Sequence, residues 1–294
     1  MSTQAGSFKT VEIIFFSGTG GVKRIANAFN QELLSRGLEV RMSNLDAASM
    51  VKSSSQSDVS ADLILLLFPV HAFDAPDPIY EWIRKTPRNK NKIAVISVSG
   101  GGEAWPNTGC RNNCCKELER KEFKVVYDQM MCMPSNWVFN INDHAAMWML
   151  RVIPEKVNRI LEDIFAGNIK RTNYKMGFFR SYITGLEKKS AKKFAKGLKI
   201  ENSCTGCGWC VRNCPVNNIE MKEQKPIFKD SCTMCFRCVY FCPTHAIKSD
   251  SFQILKSGYN LDDVEKRMSG VELEPIEKCC KGIFWGAIRQ YLLD

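Results

Sequence analysis

Two cysteine-rich runs of identical spacing dominate the carboxyl-terminal third of this 294-residue chain. The first, CTGCGWCVRNCP, spans residues 204–215, and the second, CTMCFRCVYFCP, spans residues 232–243. Both read C-x2-C-x2-C-x3-C-P, and together they contain eight of the chain's fourteen cysteines. The two runs align at an offset of 28 residues, so that Ile219 recurs as Ile247. The segment is therefore an internal repeat built around thiols.

The spacing within each run suits an iron–sulfur cube. Three thiolates at positions i, i+3 and i+6 of a tight loop can hold three corners, because the short spacing wraps the backbone around the cube and directs amide N–H groups at its sulfurs. The fourth corner cannot come from the same loop. Structural zinc is the alternative, but zinc sites use two pairs of ligands and not two triplets with a trailing Cys-Pro. The runs predict two [4Fe-4S] clusters.

The runs resemble those of bacterial ferredoxins, in which the fourth cysteine of each run ligates the other cluster. The resemblance implies that cluster A is held by Cys204, Cys207, Cys210 and Cys242. It implies that cluster B is held by Cys232, Cys235, Cys238 and Cys214. Pro215 and Pro243 would turn the chain after each crossing ligand, and the crossed ligands would hold the clusters within electron-tunnelling range.

In the first 170 residues, β-rich runs alternate with stretches of helical periodicity. VEIIFF is followed by GVKRIANAFNQELLSRG, in which Ile25, Phe29 and Leu33 recur at helical spacing before a stop at Gly37. The later β-rich runs are LEVRM, ADLILLLFPV, KIAVISVSGG and FKVVYDQMM, and the later helical stretches are DPIYEWIRKT, CRNNCCKELERK and AMWMLRVIPEKVNRILEDIF. This alternation predicts a doubly wound α/β sheet with its ligand crevice beyond the carboxyl ends of the strands.

A glycine-rich loop, SGTGGV, follows the first β-rich run. Its amides, two hydroxyls and the amino end of the next helix would form a phosphate cradle. The dinucleotide fingerprint does not fit, because Lys23 stands where its last glycine belongs. The loop resembles the flavodoxin phosphate loop, which holds the phosphate of FMN, although Val22 replaces the final threonine of that pattern. The resemblance implies phosphate contacts from Ser17, Gly18, Thr19, Gly20, Gly21 and Val22, with one hydroxyl donor fewer than usual.

Two further loops fall where a flavodoxin holds its isoalloxazine ring. They are PVHAFDAP, after the third β-rich run, and SGGGEAW, after the fourth. The resemblance implies ring contacts from Val70, His71, Ala72, Phe73, Ser99, Gly100, Gly101 and Trp105. For the aromatic residues among them, the alternative role is a lid on the apolar core.

The chain as a whole resembles the flavodoxin–ferredoxin fusion proteins, found mainly in anaerobic bacteria and archaea. This implies a flavodoxin-like, five-stranded parallel sheet of order 2-1-3-4-5 in residues 1–170. A basic linker or helix at 171–200 would follow, then a small α+β ferredoxin-like domain with two [4Fe-4S] clusters at 201–250. Residues 251–294 would form a carboxyl-terminal extension that packs on the body of the protein.

The net charge of +10 is concentrated in residues 171–200, which carry nine basic side chains and one acidic side chain. Phe194 and Leu198 fall on one side of a predicted helix there, and lysines such as Lys188, Lys192 and Lys196 fall on the other. A solvated face, a docking surface for an acidic partner protein, and contact with a membrane or nucleic acid are the three interpretations. The chain contains no nucleic-acid-binding motif.

The other features indicate a cytoplasmic protein. The longest apolar run, Leu63 to Val70, is too short to cross a bilayer. Fourteen cysteines in a reducing compartment point to metal or redox chemistry and not to disulfides. For the six cysteines outside the runs we expect inert packing, with a third metal site or a reactive thiol as the alternative; they are Cys110, Cys114, Cys115, Cys132, Cys279 and Cys280.

These parts together predict an electron-transfer protein, because FMN exchanges electrons singly or in pairs whereas each cluster carries one. The expected partners are redox proteins, either a ferredoxin-like donor or an acceptor enzyme, and the chain itself would be a monomer or homodimer. The alternative is an FMN-dependent reductase that acts on a small molecule or quinone and takes in electrons through the clusters. A redox sensor or a purely structural protein is the third class.

The crossed assignment can be tested with single cysteine variants. Because Cys214 lies in the first run but serves cluster B, Cys214→Ala should damage the same centre as Cys235→Ala. It should leave largely intact the centre that Cys207→Ala damages. Electron paramagnetic resonance of the reduced variants measures this. Spectra that pair by run, with Cys214→Ala resembling Cys207→Ala, would refute the assignment.

Overall fold

Five parallel strands form one sheet in the order β2-β1-β3-β4-β5. The strands are β1 (Thr10–Phe15), β2 (Glu39–Asn44), β3 (Leu63–Pro69), β4 (Lys92–Ser99) and β5 (Lys124–Cys132). This is the doubly wound order of flavodoxins, in which the strand order reverses between β1 and β3. The fold class predicted from the sequence is confirmed.

The computed structural model describes residues 8–46, 61–137, 141–172, 186, 190–191, 193–249 and 258–294. Within these ranges, no helix combines the length and the apolar character that crossing a bilayer requires. Lys188, Lys189 and Lys192 of the predicted basic helix lie outside them. The described part of that segment has Phe194 buried and Lys196 exposed, as the amphipathic pattern predicts.

Helices cover both faces of the sheet, and each face has its own apolar cluster. The helices of this part are α1 (Gly21–Ser35), α2 (Asp77–Lys85), α3 (Asn112–Arg120), α4 (Asp143–Arg151) and α5 (Ile153–Phe165). The stripe of Ile25, Phe29 and Leu33 on α1 is fully buried on one face, together with residues of α5. Trp82 of α2 and Leu118 of α3 are buried on the other face. The inner strands β3 and β4 are buried along most of their length, as a parallel sheet covered on both faces requires, whereas the edge strand β2 is mostly polar and has no fully buried residue.

The stretch AMWMLRVIPEKVNRILEDIF forms two helices and not one. The break lies at Val152, which ends α4 and precedes α5. Pro154 stands in the first turn of α5. Proline lacks an amide hydrogen, and its ring would clash with the carbonyl four residues earlier in a continuous helix. It is compatible with a first turn, so the chain starts a new helix there.

The cysteine runs belong to a small α+β unit with two antiparallel strand pairs. The pairs are β6 (Leu198–Ile200) with β9 (Ile247–Ser249), and β7 (Ile219–Lys222) with β8 (Lys225–Phe228). One-turn helices follow the first two cysteines of each run, α6 (Trp209–Arg212) and α7 (Arg237–Tyr240). Gly208 and Phe236, the residues before these helices, share left-handed φ angles of 70° and 60°. The sequence repeat is thus also a repeat of backbone conformation.

The carboxyl-terminal residues pack on the sheet domain through three short helices. These are α8 (Leu261–Arg267), α9 (Ile276–Cys279) and α10 (Gly286–Leu293). Arg24 of α1 forms ion pairs with Asp262 and with Glu265 of α8, the second at 2.7 Å between Nη2 and Oε2. Ile288 and Leu292 of α10 are buried in a third apolar cluster, with residues of α4 and β5.

A buried ion pair lies between the sheet and the loop after β4. Arg111 donates from Nε to Asp128 Oδ1 at 2.8 Å, and both side chains are only 2% exposed. Arg111 also donates from Nη1 to Ser97 Oγ at 2.8 Å and from Nη2 to Glu103 Oε1 at 2.9 Å. Burial alone would raise the pKa of Asp128, but hydrogen bonds from Thr172 and Arg111 outweigh it and lower that pKa. The stability that Asp128 contributes is therefore lost as pH falls through its folded-state pKa.

Removing one partner of this pair should be strongly destabilising. Arg111→Met removes the cation that binds the buried Asp128 carboxylate at 2.8 Å and leaves only Arg171, 3.3 Å from Oδ2, to pair with it. The expected cost is about 3 kcal/mol, the lower end of the range for breaking a buried ion pair, because Arg171 remains. Urea unfolding of the anaerobic holoprotein, followed by circular dichroism, measures the loss. The matched control is Arg120→Met, which removes an exposed arginine paired with Glu117 and should cost less than about 1 kcal/mol. Equal losses in the two variants would contradict this assignment.

Candidate cofactor sites

The loop between β1 and α1 has the form of a phosphate cradle. The Ser17 side chain is buried, and its Oγ accepts a hydrogen bond from Lys23 N at 3.2 Å. Gly20 caps α1 with a left-handed φ of 99°, a conformation that favours glycine. A Cβ placed on Gly20 would meet no atom within 4 Å, so the amino end of the helix faces open space there. The positive end of a 15-residue helix with free space before it fits an anionic group.

Thr19 and Val22 play different parts in this loop. Thr19 Oγ1 accepts from Asn136 Nδ2 at 2.9 Å, which leaves the hydroxyl hydrogen available to donate to a ligand. Asn136 follows β5, and sequence reasoning did not select it because nothing in its local pattern points to Thr19. Val22 is 3% exposed and packs in the core, so only its backbone amide can serve the cradle.

The loop after β3 is a tight turn at the carboxyl edge of the sheet. His71 N donates to Asp74 O at 3.0 Å, and Asp74 N donates to His71 O at 2.9 Å. Ala72 and Phe73 between them have left-handed φ angles of 52° and 54°. Non-glycine residues in this conformation carry strain and concentrate at functional sites. The turn presents the backbone of residues 71–73 beyond the strand end, where the sequence predicted a ring contact.

The loop after β4 leaves the sheet next to the loop after β3, since Val70 N donates to Val98 O at 2.9 Å. Ser99 Oγ accepts from Gly101 N at 3.1 Å and orders the start of the loop. A Cβ on Gly100 would lie 2.6 Å from Ser135 Cβ, so this glycine allows the loops after β4 and β5 to touch. Trp105 is 67% exposed. Its ring is therefore not a lid on the core and is free to cover a planar ligand.

The predicted set for cluster A lines one cavity. Its lining includes the three leading cysteines of the first run and the last cysteine of the second, that is Cys204, Cys207, Cys210 and Cys242. Ala246 N donates to Cys242 Sγ at 3.3 Å. Burial opposes ionisation of Cys242, but amide hydrogen bonds from Ala246 and Thr244 outweigh it and lower the pKa of this thiol. The crossing cysteine is thus close to the other three and is favoured as a thiolate.

The predicted set for cluster B is also brought together across the two runs. Burial raises the pKa of Cys238, and the neighbouring thiols of Cys235, Cys232 and Cys214 raise it further. Asn218 N donates to Cys214 Sγ at 3.2 Å, as the repeat-related Ala246 N does to Cys242. Among the described residues, no three His, Cys, Asp or Glu side chains are placed to hold a single metal ion. The fit to a cluster rests on the four thiols and the amides directed at them.

The six cysteines outside the runs are all buried, which agrees with the expected packing role. Cys114 and Cys115 lie in the first turn of α3, where a helix amino end can lower a thiol pKa. Burial prevails, and it raises the pKa of Cys115 to about 12 and also raises the pKa of Cys114 well above its usual range. These thiols have the properties of inert core residues.

Comparison with known families identifies the cysteine-rich segment. The model of the 4Fe-4S dicluster domain family matches residues 196–243, which contain both runs. No curated protein matches the chain at a significant level.

Among solved structures, the amino-terminal half is similar to several flavodoxins. Flavodoxin 2 from Bacillus cereus is 13% identical and covers 52% of this chain and 99% of its own, with a TM-score of 0.38. The two-electron reduced flavodoxin of Megasphaera elsdenii is 20% identical and covers 41% and 84%, with a TM-score of 0.34. The Fusobacterium nucleatum flavodoxin bound to flavin mononucleotide is 11% identical and covers 53% and 98%, with a TM-score of 0.36.

The flavodoxin-like fold of this chain follows from its own strand order and does not depend on those alignments. A flavodoxin-like sheet followed by a segment that matches the 4Fe-4S dicluster domain is the combination expected of a flavodoxin–ferredoxin fusion protein.

Proposed function

We propose that the protein relays single electrons between a low-potential donor, two [4Fe-4S] clusters, FMN and a partner enzyme. The observation that carries the proposal is the direct contact of the second cysteine run with the phosphate cradle. A Cβ on Gly18 of the cradle would lie 2.9 Å from Cys235 Cβ. Two redox sites that share one contact in one chain form a path for electrons, which isolated binding sites would not.

The residues at the carboxyl edge of the sheet fit FMN. Hydroxyls of Ser17 and Thr19 and the amides at the start of α1 would hold its phosphate. The loops at residues 70–73 and 99–101 would flank its ring, and Trp105, four residues after Gly101 in the second of these loops, is exposed. When bound, FMN supplies the capacity to take up electrons singly or in pairs, while each cluster takes up one.

The cysteine loops would hold the two clusters and control their surroundings. Their amides donate to the thiolate sulfurs, as Met234 N does to Cys232 Sγ at 3.3 Å. Cys235 is only 8% exposed, so protein surrounds this ligand of cluster B and keeps solvent away from it. Hydrogen bonds to sulfur and exclusion of solvent are two of the means by which a protein sets the reduction potential of a cluster, and nearby charge is another.

The alternative, a reductase for small molecules, would require a substrate-sized space over the ring loops. A cavity of about 600 Å³ exists, but it lies between α2 and α3. Its lining includes Arg84, Glu117 and Arg120 and none of the loop residues 99–105. Apart from Asp74, its lining comes from α2 and α3, so this particular cavity lies on the flank of the sheet and not over the ring loops. We favour electron relay because the second cysteine run contacts the phosphate cradle directly.

The first test is cofactor content. Protein purified without oxygen should carry about eight irons, about eight acid-labile sulfides and up to one FMN per chain. Metal analysis, sulfide determination and flavin fluorescence after denaturation measure the three. Zinc in place of iron would overturn the cluster half of the proposal. Loaded clusters with no flavin bound at saturating FMN would overturn the other half.

The second test concerns the electron source. The chain has no G-x-G-x-x-G loop after any of its strands, so nicotinamide cofactors should not reduce the flavin directly. Anaerobic mixing of the oxidised holoprotein with NADH or NADPH should leave flavin absorbance unchanged. A reduced low-potential ferredoxin, or dithionite as the control, should bleach it. Rapid bleaching by NADH alone would favour the reductase.

A further inference from the structure

The two cysteine loops have the same ligand spacing but different surroundings. Cys207 in the first loop is exposed, whereas its counterpart Cys235 in the second is buried. The second loop is buried because it sits on the β1–α1 loop. Gly18 in that loop would place a Cβ only 2.9 Å from Cys235 Cβ and 3.1 Å from Cys235 O. The backbones are therefore in contact, with no space for a side chain or a water molecule at Gly18.

Arg237 stabilises the contact between the second cysteine loop and the β1–α1 loop. It lies between two cluster B cysteines, and it donates from Nε to Gly18 O at 2.8 Å and from Nη2 to Ser17 O at 2.5 Å. Nη1 donates to Asn213 O at 3.0 Å, and Asn213 directly precedes Cys214. The guanidinium side chain is 17% exposed, with Asp46 Oδ2 3.8 Å from Nη1. One planar group thus joins both segments that ligate cluster B to the phosphate cradle.

A second, indirect connection runs parallel to it. Tyr240 of α7 donates from its hydroxyl to Asn136 O at 2.6 Å. Asn136 in turn donates from Nδ2 to Thr19 Oγ1 at 2.9 Å. The second cysteine loop therefore reaches the cradle at three consecutive residues, 17, 18 and 19.

Among the described residues, the first loop forms no equivalent of the hydrogen bonds from Arg237 to the phosphate cradle. The residue at the position of Arg237, 28 residues earlier, is Trp209. Trp209 lines the cluster A cavity, and its ring centroid lies 6.2 Å from that of Phe241. The loops therefore differ at the position from which the second loop donates hydrogen bonds to Gly18 and Ser17 of the sheet domain. Cluster B therefore lies on the side of the cradle, and cluster A lies outward.

We propose that cluster B is the cluster that exchanges electrons with the flavin, and that Arg237 is the positioning residue that holds its loop on the phosphate cradle. This rests on the proposed function. In each transfer, one electron leaves the reduced cluster B, which is oxidised, and enters the flavin, which is reduced. No bond is formed or broken within the cluster. Cluster A, with its exposed ligand, receives the next electron from the external donor.

The decisive variant is Arg237→Gln in the full-length anaerobic holoprotein. Loss of a positive charge beside cluster B should shift its midpoint potential to more negative values and leave that of cluster A unchanged. Loss of the charge-assisted hydrogen bonds should speed amide hydrogen exchange of residues 17–21 about tenfold or more. Arg237→Lys, which retains the charge but not the planar fork, should show the faster exchange with a smaller shift in potential. Arg212→Gln, which removes an exposed arginine from the first run, is the control for the contact and should leave amide exchange at residues 17–21 at its wild-type rate.

A second variant approaches the contact from the sheet side. Gly18→Ala introduces a Cβ that must push the Cys235 backbone away, while every cysteine and Arg237 is retained. It should slow electron transfer from the reduced clusters to the flavin about tenfold or more and speed exchange at residues 17–21. Gly286→Ala, where a Cβ would meet nothing within 4 Å, is the control.

These outcomes separate the inference from the function on which it rests. The inference is overturned if Arg237→Gln shifts the potential of cluster A or of neither cluster. It is also overturned if exchange at residues 17–21 keeps its wild-type rate in both Arg237→Gln and Gly18→Ala. Potential and exchange are read on the clusters and the backbone. A protein that binds no FMN but shows both expected changes would therefore reject the proposed function and retain the docking of cluster B.

Discussion

A loop of seven residues can present three thiolates to an iron–sulfur cube, and the fourth must come from elsewhere in the chain. In this protein Cys242 of the second loop lines the same cavity as the three leading cysteines of the first, and we infer that each loop supplies the fourth ligand of the other's cluster. Neither copy can complete a cluster alone. The two loops must therefore pack against each other. In the described part of the chain, only two short strand pairs surround them. The unit is compact because one loop supplies only three of the four thiolates that a cluster needs.

The sheet domain obeys a different constraint. In a parallel sheet all strand ends of one kind lie at one edge, so the loops after β1, β3 and β4 meet there whatever their sequences. Each of these loops has a local device that keeps it short and ordered, such as the glycine cap at Gly20 or the two-residue turn at Ala72 and Phe73. The cysteine unit docks at this same edge. The two halves of the chain therefore meet where each has its chemistry.

The sequence alone was sufficient to predict features that have a local periodicity or spacing. The alternation of β-rich runs and helices predicted the five strands. The cysteine spacing predicted three thiols per loop for a cluster, and the resemblance to bacterial ferredoxins implied which fourth thiol lies near them. Contacts between distant segments have no such signature. Asn136 on Thr19 and Arg237 on Gly18 connect residues 117 and 219 positions apart, and no periodicity marks either pair. One signal was nevertheless present, because alignment of the repeats places Arg237 opposite Trp209. A departure between two copies of a repeat indicates a difference in surroundings.

The same reasoning applies to the residues with left-handed backbone. The first run has glycine at two such positions, Gly206 and Gly208, and the second has Met234 and Phe236 there. A side chain in this conformation costs roughly 1–2 kcal/mol relative to glycine.

Phe236 has a compensation that its counterpart Gly208 cannot have. Its ring is 5% exposed and lies 5.3 Å from the ring of Phe194 and 5.9 Å from that of Tyr240, between centroids. Burial of a phenylalanine contributes about 1.5–3 kcal/mol, which offsets the cost of its backbone conformation. The second loop thus depends on the packing that covers Phe236, whereas the first has glycine at both left-handed positions and an exposed Cys207. Two loops with one ligand pattern have diverged into an inner and an outer site.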